Sequence, residues 1–246
     1  MVTFKWDEIL IVGDSFAGNQ HNPKSWTNQL LNKLTKNTNL NPDGTMIKAP
    51  RGEGYPGCSW WSVRKKLLAE LKIKIPKILI ICHTEQNRIP SDINLPLNSG
   101  SVQDLKKHVW FDSKLSKCDY DSVGKAGILF YKHLISEDFN MWAQWRWFSE
   151  LDAVTKFYNI PYVIHMNCFP SDLAEYKFEN GLIVEEILWI NSTGYKLWKE
   201  DSHTFSKINI NLINHFNLAE NKLLANCLYD AINSYSMGKR KIGFVT

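Results

Sequence analysis

The tripeptide Gly13-Asp14-Ser15 directly follows a run of four aliphatic residues near the start of the chain, residues 9–12. Such a run is typical of a strand that is buried on both faces in a parallel sheet, and the glycine ends it. A serine on a sharp turn at a strand end presents its hydroxyl at the rim of the sheet, where backbone N–H groups of the turn can face an oxyanion. Ser15 is therefore a candidate nucleophile, although an ordinary strand-end turn explains the tripeptide equally well.

A serine nucleophile needs a base, and histidine is the side chain whose ordinary pKa lies nearest to neutrality. The chain has seven histidines. His215 is singled out because it lies in a polar turn just ahead of the last amphipathic pattern, where a loop residue can lean over the edge of the sheet toward Ser15. His165 ends a predicted strand and is equally well explained as a hydrogen-bonded core residue.

An oxyanion hole needs two or three hydrogen-bond donors aimed at one point. Gly57 precedes Cys58-Ser59 and the start of a predicted helix, so its N–H is expected to be free of helical hydrogen bonds. Asn87 offers a side-chain amide in the polar segment after the second predicted strand. Each is a candidate donor, and each taken singly is also explained as a turn residue.

The positions of these residues depend on an alternation of strand and helix patterns. Continuous apolar runs predict buried strands at residues 9–12, 78–82 and 161–166. Helical spacing of apolar residues predicts amphipathic helices at residues 26–34, 60–71, 142–158 and 218–232, the last capped by Asn217. The alternation predicts an α/β fold in three layers, in which helices cover both faces of a parallel sheet and the site lies beyond the carboxyl ends of the strands.

The chain is expected to form one domain over residues 1–246, because neither a linker nor an internal repeat divides it. Periodicity fades from about residue 90 to about residue 135, where we predict an insertion with one or two short elements that serves as a lid. A short helix is predicted near residues 182–189.

Composition excludes several functional classes. The net charge is only +4, and part of the excess lies in Lys239-Arg240-Lys241, so no basic face for nucleic acid is predicted. The five cysteines are widely spaced and include no C-x-x-C pair, which argues against zinc or a redox centre. We predict neither a metal nor a cofactor.

The first apolar run is too short for a signal peptide, and no stretch approaches membrane-spanning length. We therefore expect a soluble protein without a cleaved signal. Several of the ten tryptophans fall at residues 60–61 and 142–147. They allow sugar-stacking platforms, but tryptophans at helical spacing are expected to belong to the core.

Taken together, the four candidate residues resemble the conserved positions of the SGNH hydrolases, also called GDSL esterases. Residues 9–15 resemble the first block of that family with its nucleophile, and Gly57-Cys58-Ser59 resembles the second block with its oxyanion glycine. Residues 215–225 resemble the last block, in which the catalytic histidine precedes a helix that carries Leu-Ala. The resemblance implies a flavodoxin-like sheet of about five parallel strands and a serine hydrolase that acts on small-molecule or glycan carboxylic esters.

Two departures from the family pattern bear on the site. The third block usually reads Gly-x-Asn-Asp directly after the strand, whereas this chain has residues 83–88, His-Thr-Glu-Gln-Asn-Arg. The role of Asn87 as an oxyanion donor is therefore less specific, and Glu85 or Arg88 is an alternative for part of the function of this loop. The family also has an acid three residues before its histidine, and Leu212 occupies that position.

The missing acid leaves two arrangements for the base. Either a Ser-His dyad suffices, or Asp201 from the preceding loop completes a triad. His203, in the one Glu-x-x-His of the chain, is a reserve candidate for the base, although no helix pattern follows it.

Two functions other than ester hydrolysis match features of the sequence. Residues 52–57 fit the dinucleotide fingerprint G-x-G-x-x-G, but Pro50 and Arg51 replace the preceding strand and Pro56 interrupts the motif, so we reject an oxidoreductase. The stronger alternative is a catalytically weak or inactive SGNH fold kept as a structural or carbohydrate-binding protein. The divergent blocks also resemble SGNH-type proteins encoded by bacteriophages, so we expect a cytoplasmic or virion-associated protein.

Overall fold

A computed structural model describes residues 3–18, 22–36, 51–52, 54, 57–90, 97–99, 101–103, 117–166, 168, 176–184, 216–234 and 241–242. Four parallel strands form its sheet in the order of the chain: β1 (Ile9–Gly13), β2 (Ile78–Cys82), β3 (Tyr162–Met166) and β4 (Leu182–Val184). A two-residue strand, β5 (Lys241–Ile242), pairs in parallel with the outer side of β4. The prediction of about five strands is therefore confirmed only in part, because four strands form the sheet and the fifth is a two-residue pairing with β4.

The register of the strands brings their carboxyl ends to one edge of the sheet. Ile9 lies opposite Ile78, and Ile78 lies opposite Tyr162, so β1, β2 and β3 begin level with one another. On the free side of β1, isolated parallel bridges join Leu10 to Arg51 and Gly13 to Gly54. The loops that follow the first three strands therefore emerge side by side.

The described residues include five helices: α1 (Trp26–Thr35), α2 (Trp60–Ile73), α3 (Lys117–His133), α4 (Glu137–Phe157) and α5 (Leu218–Ser234). Short turns of 3-10 helix are found at Trp6–Glu8, Ser15–Ala17 and Ser101–Gln103. One buried cluster packs α1 and α5 against one face of the strands, and a second packs α2 and α4 against the other. The predicted α/β fold with helices on both faces is confirmed at this level.

Two predictions of local structure are wrong. Residues 182–184 form strand β4 and not the start of a helix, because the Leu-Ile-Val run pairs with β3 and is buried. The region of about 90–135 contains the 17-residue helix α3 where short elements were expected. A satellite cluster of Leu97, Val102 and Tyr120 gives α3 its own packing partners.

The tryptophans of α4 do not all belong to the core, contrary to expectation. Trp142 and Trp145 are 54% and 39% exposed, whereas Trp147 is 2% exposed. The buried face of α4 runs instead through Trp147, Phe148 and Leu151. Helical geometry allows a single stripe of the helix to face the sheet, and the first two tryptophans lie outside that stripe.

Helix α5 begins as the sequence predicts. The Asn217 Oδ1 accepts a hydrogen bond from the Glu220 N–H at 3.0 Å, and the Glu220 carboxylate accepts one from the Asn217 N–H at 2.7 Å. This reciprocal capping satisfies two backbone donors at the helix start. No helix in the described part of the chain is long and apolar enough to cross a membrane.

Candidate active site

Ser15 lies at the carboxyl end of β1 on a single turn of 3-10 helix, within a segment that we call the Ser15 turn, residues 13–18. The Ala17 N–H donates to the Asp14 carbonyl at 3.0 Å, and the Gly18 N–H donates to the Ser15 carbonyl at 3.1 Å. Every residue from 9 to 18 is buried except Ser15, which is half-buried. The packing of this segment therefore leaves the serine as its one side chain in contact with solvent.

Glycines let the Ser15 turn pack directly against neighbouring backbone. A Cβ atom on Gly13 would lie 2.4 Å from the Cβ of Cys82 in β2. A Cβ atom on Gly54 would lie 2.3 Å from the Asp14 carbonyl oxygen and 2.4 Å from the Ala17 carbonyl carbon. A larger residue at either position would have to move the turn.

Asp14 is fully buried and divides its carboxylate oxygens between the Ser15 turn and a distant loop. Oδ1 accepts from the Phe16 N–H at 3.0 Å, which caps the 3-10 turn, and Oδ2 accepts from Nη1 of Arg88 at 3.1 Å. Burial raises the pKa of Asp14 to about 6, and the Arg88 charge and the Phe16 hydrogen bond limit the rise. At neutral pH the carboxyl is therefore mainly ionised.

Residues 57–59, which we call the Gly57 turn, precede helix α2 and contact the Ser15 turn. Gly57 has a φ of +73°, in the left-handed region that favours glycine. The Cys58 thiol donates to the Gly13 carbonyl at 3.5 Å, and the Cys58 carbonyl accepts from the Thr84 hydroxyl at 2.8 Å. The first two predicted blocks are thus adjacent, and the loop after β2 braces them.

Arg88 lies in that third loop, residues 83–90, which we call the Arg88 loop. Its side chain is 6% exposed. Nη1 donates to the Asp14 carboxylate at 3.1 Å and to the Cys58 carbonyl at 3.0 Å, and Nε donates to the Glu85 carboxylate at 3.2 Å. Desolvation alone would lower the pKa of Arg88, but the charges of Asp14 and Glu85 outweigh it and raise that pKa. A permanent cation therefore joins all three loops at this edge.

Asn87 is half-buried in the Arg88 loop, beyond the second strand as the sequence predicts. Its Oδ1 accepts a hydrogen bond from Asn140 Nδ2 at 3.1 Å, and its backbone carbonyl accepts from the Tyr131 hydroxyl at 2.7 Å. Helices α3 and α4 therefore hold this residue. The bond to Asn140 orients the amide, whose NH2 group is the end that can donate to a ligand.

His83, the first residue of the Arg88 loop, forms a buried pair with His165 of β3. Nε2 of His83 lies 3.1 Å from Nδ1 of His165, whose Nε2 lies 3.1 Å from the Asn180 carbonyl oxygen. A carbonyl oxygen only accepts, so the proton of His165 is assigned to Nε2, and its Nδ1 accepts from His83. Desolvation lowers the pKa of His165 to about 4 and holds the pKa of His83 well below its usual value. The interpretation of His165 as a hydrogen-bonded core residue is confirmed.

The candidate base His215 lies outside the described residues, as do Asp201, His203 and Leu212. The ring of the next residue, Phe216, contacts that of Phe16 with 5.7 Å between the centroids. Phe16 and Phe216 directly follow the candidate nucleophile and the candidate base in the sequence. The backbone N–H of Trp26 donates to Asn221 Oδ1 at 2.7 Å, and this bond joins α1 to α5.

Sequence reasoning missed the ion pair between Arg88 and Asp14 and the bond from Arg88 to Cys58. The available signal was a charged residue in the polar segment after each of two buried strands, at positions that parallel strands bring to one edge. Local patterns do not tell which of several charges in such segments will be paired. The described residues contain no group of three or more acidic, histidine or cysteine side chains arranged to hold a metal ion.

No protein-family model matches this sequence, and no curated protein or solved structure matches it.

Proposed function

We propose that the protein is a serine hydrolase of the SGNH class that acts on carboxylic esters, with Ser15 as its nucleophile. The observation that carries the proposal is the half-exposed Ser15 in a segment whose other residues, 9 to 18, are all buried. A serine held this way at the end of a strand is rigid and accessible, which is the geometry that a nucleophile needs.

A flavodoxin-like strand order supports the proposal. The bridges of Arg51 and Gly54 to β1 put residues 51–54 on one side of that strand, and β2 lies on the other. Along the chain, residues 51–54 come after β1 and before β2. The chain therefore adds a pairing on one side of β1 and then crosses to the other side, so the order in which strands are added reverses at β1. Ligands of open α/β sheets bind beyond the carboxyl ends of the strands at such a reversal point.

His215 is the proposed general base. Support comes from the contact of Phe16 with Phe216, the residues that follow the nucleophile and the base. The base works either as a Ser-His dyad or with Asp201 as third member, and His203 remains the reserve candidate.

The proposed reaction has two steps. His215 takes the proton of the Ser15 hydroxyl as its oxygen attacks the ester carbonyl carbon, and the protonated imidazole returns the proton to the departing alcohol. In the second step the same histidine takes a proton from water, whose oxygen attacks the acyl carbon. The bond from that carbon to the Ser15 oxygen breaks, the imidazolium returns the proton to Ser15, and the acid is released. The proposed oxyanion donors are the Ser15 N–H, the Gly57 N–H and the Asn87 amide, whereas the Phe16 N–H is engaged by Asp14.

The test compares the wild type with Ser15→Ala, His215→Ala and the matched control Ser62→Ala on helix α2. Covalent labelling by a fluorophosphonate and hydrolysis of p-nitrophenyl acetate are both measured. Loss of the nucleophile is expected to lower turnover at least about 10³-fold, while Ser62→Ala stays at the wild-type rate. Equal rates and equal labelling in all four proteins would contradict the proposal.

A carbohydrate-binding protein with weak or no catalysis is the second candidate function. It is favoured by the exposed aromatic side chains of α4, where Phe139 and Trp142 are 61% and 54% exposed and their ring centroids lie 5.9 Å apart. Sugar rings stack on such surfaces. Two results together would favour this candidate. Polysaccharides would quench tryptophan fluorescence in the wild type and in the control Phe157→Ala, but not in Trp142→Ala. Fluorophosphonate labelling would be unchanged in Ser15→Ala.

A further inference from the structure

We infer that Arg88 is the positioning residue of the site, which holds the Ser15 turn and the Gly57 turn in one fixed arrangement. This inference rests on the proposed hydrolase function for its role in turnover. It goes beyond that function because Arg88 matches no position of the family pattern and touches no proposed reacting atom.

Asp14 connects Arg88 to the turn that carries the candidate nucleophile. Arg88 Nη1 donates to one oxygen of the Asp14 carboxylate, and the other oxygen accepts from the Phe16 N–H. A single carboxylate thus connects the guanidinium to the backbone of the turn that carries Ser15. With Asp14 fully buried, no solvent competes for either bond.

Nη1 of Arg88 is also connected to the proposed oxyanion hole, through the Gly57 turn. Nη1 also donates to the carbonyl of Cys58, the residue after Gly57, at 3.0 Å. The two hydrogens of one NH2 group therefore fix the separation of the two turns. The plane of the guanidinium is set in turn by the bond from Nε to Glu85 at 3.2 Å.

An ordinary buried ion pair, without a role in positioning, is the alternative interpretation of Arg88 and Asp14. A buried pair is weak evidence for stability, since desolvation offsets much of the attraction. Arg51 is the matched comparison. It also donates to a carboxylate, that of Glu70, and to backbone carbonyls, but at the opposite edge of the sheet, among Asp7 and Lys74. If Arg88 acted only through global stability, replacing either arginine would raise hydrogen exchange in all segments to a similar extent.

The experiment measures hydrogen exchange in Arg88→Gln, Arg88→Lys and Arg51→Gln, with peptides over residues 9–18, 57–63 and 69–75. Arg88→Gln is expected to raise exchange in the first two segments at least about tenfold, because the bond that fixes both turns is lost. Arg88→Lys, which keeps the charge, is expected to restore part of the protection. Arg51→Gln should raise exchange at 69–75 and leave the Ser15 turn, residues 13–18, unchanged.

Kinetics give a second measurement. Arg88→Gln is expected to lower kcat for p-nitrophenyl acetate by about 10- to 100-fold with KM within about twofold, because misplacement affects the reacting groups more than ground-state binding. Arg88→Lys should recover part of kcat. Where Arg88→Gln does not fold, Asp14→Asn breaks the same ion pair with an isosteric side chain and is read in the same way.

The outcomes separate this inference from the proposed function. If the wild type has no Ser15-dependent hydrolysis, the proposed function fails, and exchange alone decides whether Arg88 holds the two turns together. If hydrolysis depends on Ser15 but Arg88→Gln leaves kcat and exchange at the wild-type values, the inference is overturned. A uniform rise in exchange over all segments in both arginine variants would also overturn it.

Discussion

At the amino ends of the strands, which we call the lower edge, Arg51 donates to the Glu70 carboxylate at 3.1 Å and to three backbone carbonyls. At the carboxyl ends, the upper edge, Arg88 donates to two carboxylates and one carbonyl. The two sets of bonds are similar in kind. They differ in the burial of the main ion pair, since the Arg51 and Glu70 side chains are 14% and 12% exposed and those of Arg88 and Asp14 are 6% and 0% exposed. Glu85, the second carboxylate partner of Arg88, is 42% exposed.

The rest of the upper edge has the same character. The His83–His165 pair is buried there, and the side-chain oxygens of Ser59 and Gln144 are buried without a hydrogen-bond partner in the described part of the protein. The other ion pairs of the lower edge are partly exposed, such as Lys77 with Glu8. Because buried charges and unpaired polar groups oppose folding, their concentration at the upper edge supports our proposal of a site there, whereas the lower edge is expected to serve stability.

Among variants that keep the candidate nucleophile and base, the largest effect is expected from a methyl group placed against the backbone of the Ser15 turn. Gly54→Ala would bring its Cβ within 2.3 Å of the Asp14 carbonyl oxygen, so the backbone of the turn has to move. We expect hydrolysis to fall about 100-fold and the free energy of unfolding to fall by about 3 kcal/mol. Ester hydrolysis and urea unfolding are the measurements.

Gly127→Ala on α3 is the control for that variant, because its Cβ would meet the side chain of Val102 at 2.5 Å and not backbone. Its activity should stay near the wild-type value. A Gly54→Ala protein as active and as stable as the wild type would remove the distinction between the two edges.

The next effect concerns the pH dependence of stability. Because the pKa of His165 is lowered to about 4 in the folded protein, the unfolded chain binds its proton first, and stability is lost as the pH falls from about 6.5 through about 4. The loss from His165 is roughly 3 kcal/mol. Asp14 has the opposite sign: its pKa is raised to about 6, so its protonation on acidification adds stability below that pH.

Urea unfolding between pH 7 and pH 4 separates these two contributions. Relative to the wild type, the double variant His83→Leu/His165→Leu should gain stability as the pH falls, and Asp14→Asn should lose it more steeply. Profiles that run parallel for all three proteins would show that the buried groups of the upper edge do not titrate as argued.

A moderate effect is expected at the lower edge. Arg51→Met removes four hydrogen bonds of one side chain, among them those to the Glu70 and Lys74 carbonyls at the end of α2. The free energy of unfolding should fall by about 2 kcal/mol, with Ser15-dependent hydrolysis unchanged in the remaining folded protein. A loss of kcat similar to that in Arg88→Gln would place both arginines in the same role.

The smallest effect is expected from an exposed pair at that edge. The Lys77 side chain is 56% exposed and lies 2.8 Å from the Glu8 carboxylate. Lys77→Met should change the free energy of unfolding by less than about 0.5 kcal/mol, because solvent screens such pairs. A loss above about 1 kcal/mol in thermal or urea unfolding would mean that exposure does not separate the ion pairs of the two edges.

Much of the fold follows from local sequence patterns. The buried strands β1, β2 and β3, the faces of α1, α2 and α5, and the capping of α5 by Asn217 all agree with expectation. Strand β4 does not, because a three-residue apolar run is too short for its periodicity to separate strand from helix. Its pairing with β3 decides the matter. The expectation that Trp142 and Trp145 belong to the core is also wrong, since several stripes of α4 contain aromatic residues and spacing does not tell which stripe faces the sheet.

The sequence by itself determined that Ser15 follows a buried strand, and that Gly57 and Asn87 lie in turns near two other elements of the same alternation. These are properties of neighbouring residues, and local steric and hydrophobic preferences are enough to specify them. Only the tertiary structure decided that Arg88 pairs with Asp14 and Cys58, and that Phe16 contacts Phe216. Partners so far apart in the chain are selected by the parallel strand order and by the burial of both groups, which no local pattern contains.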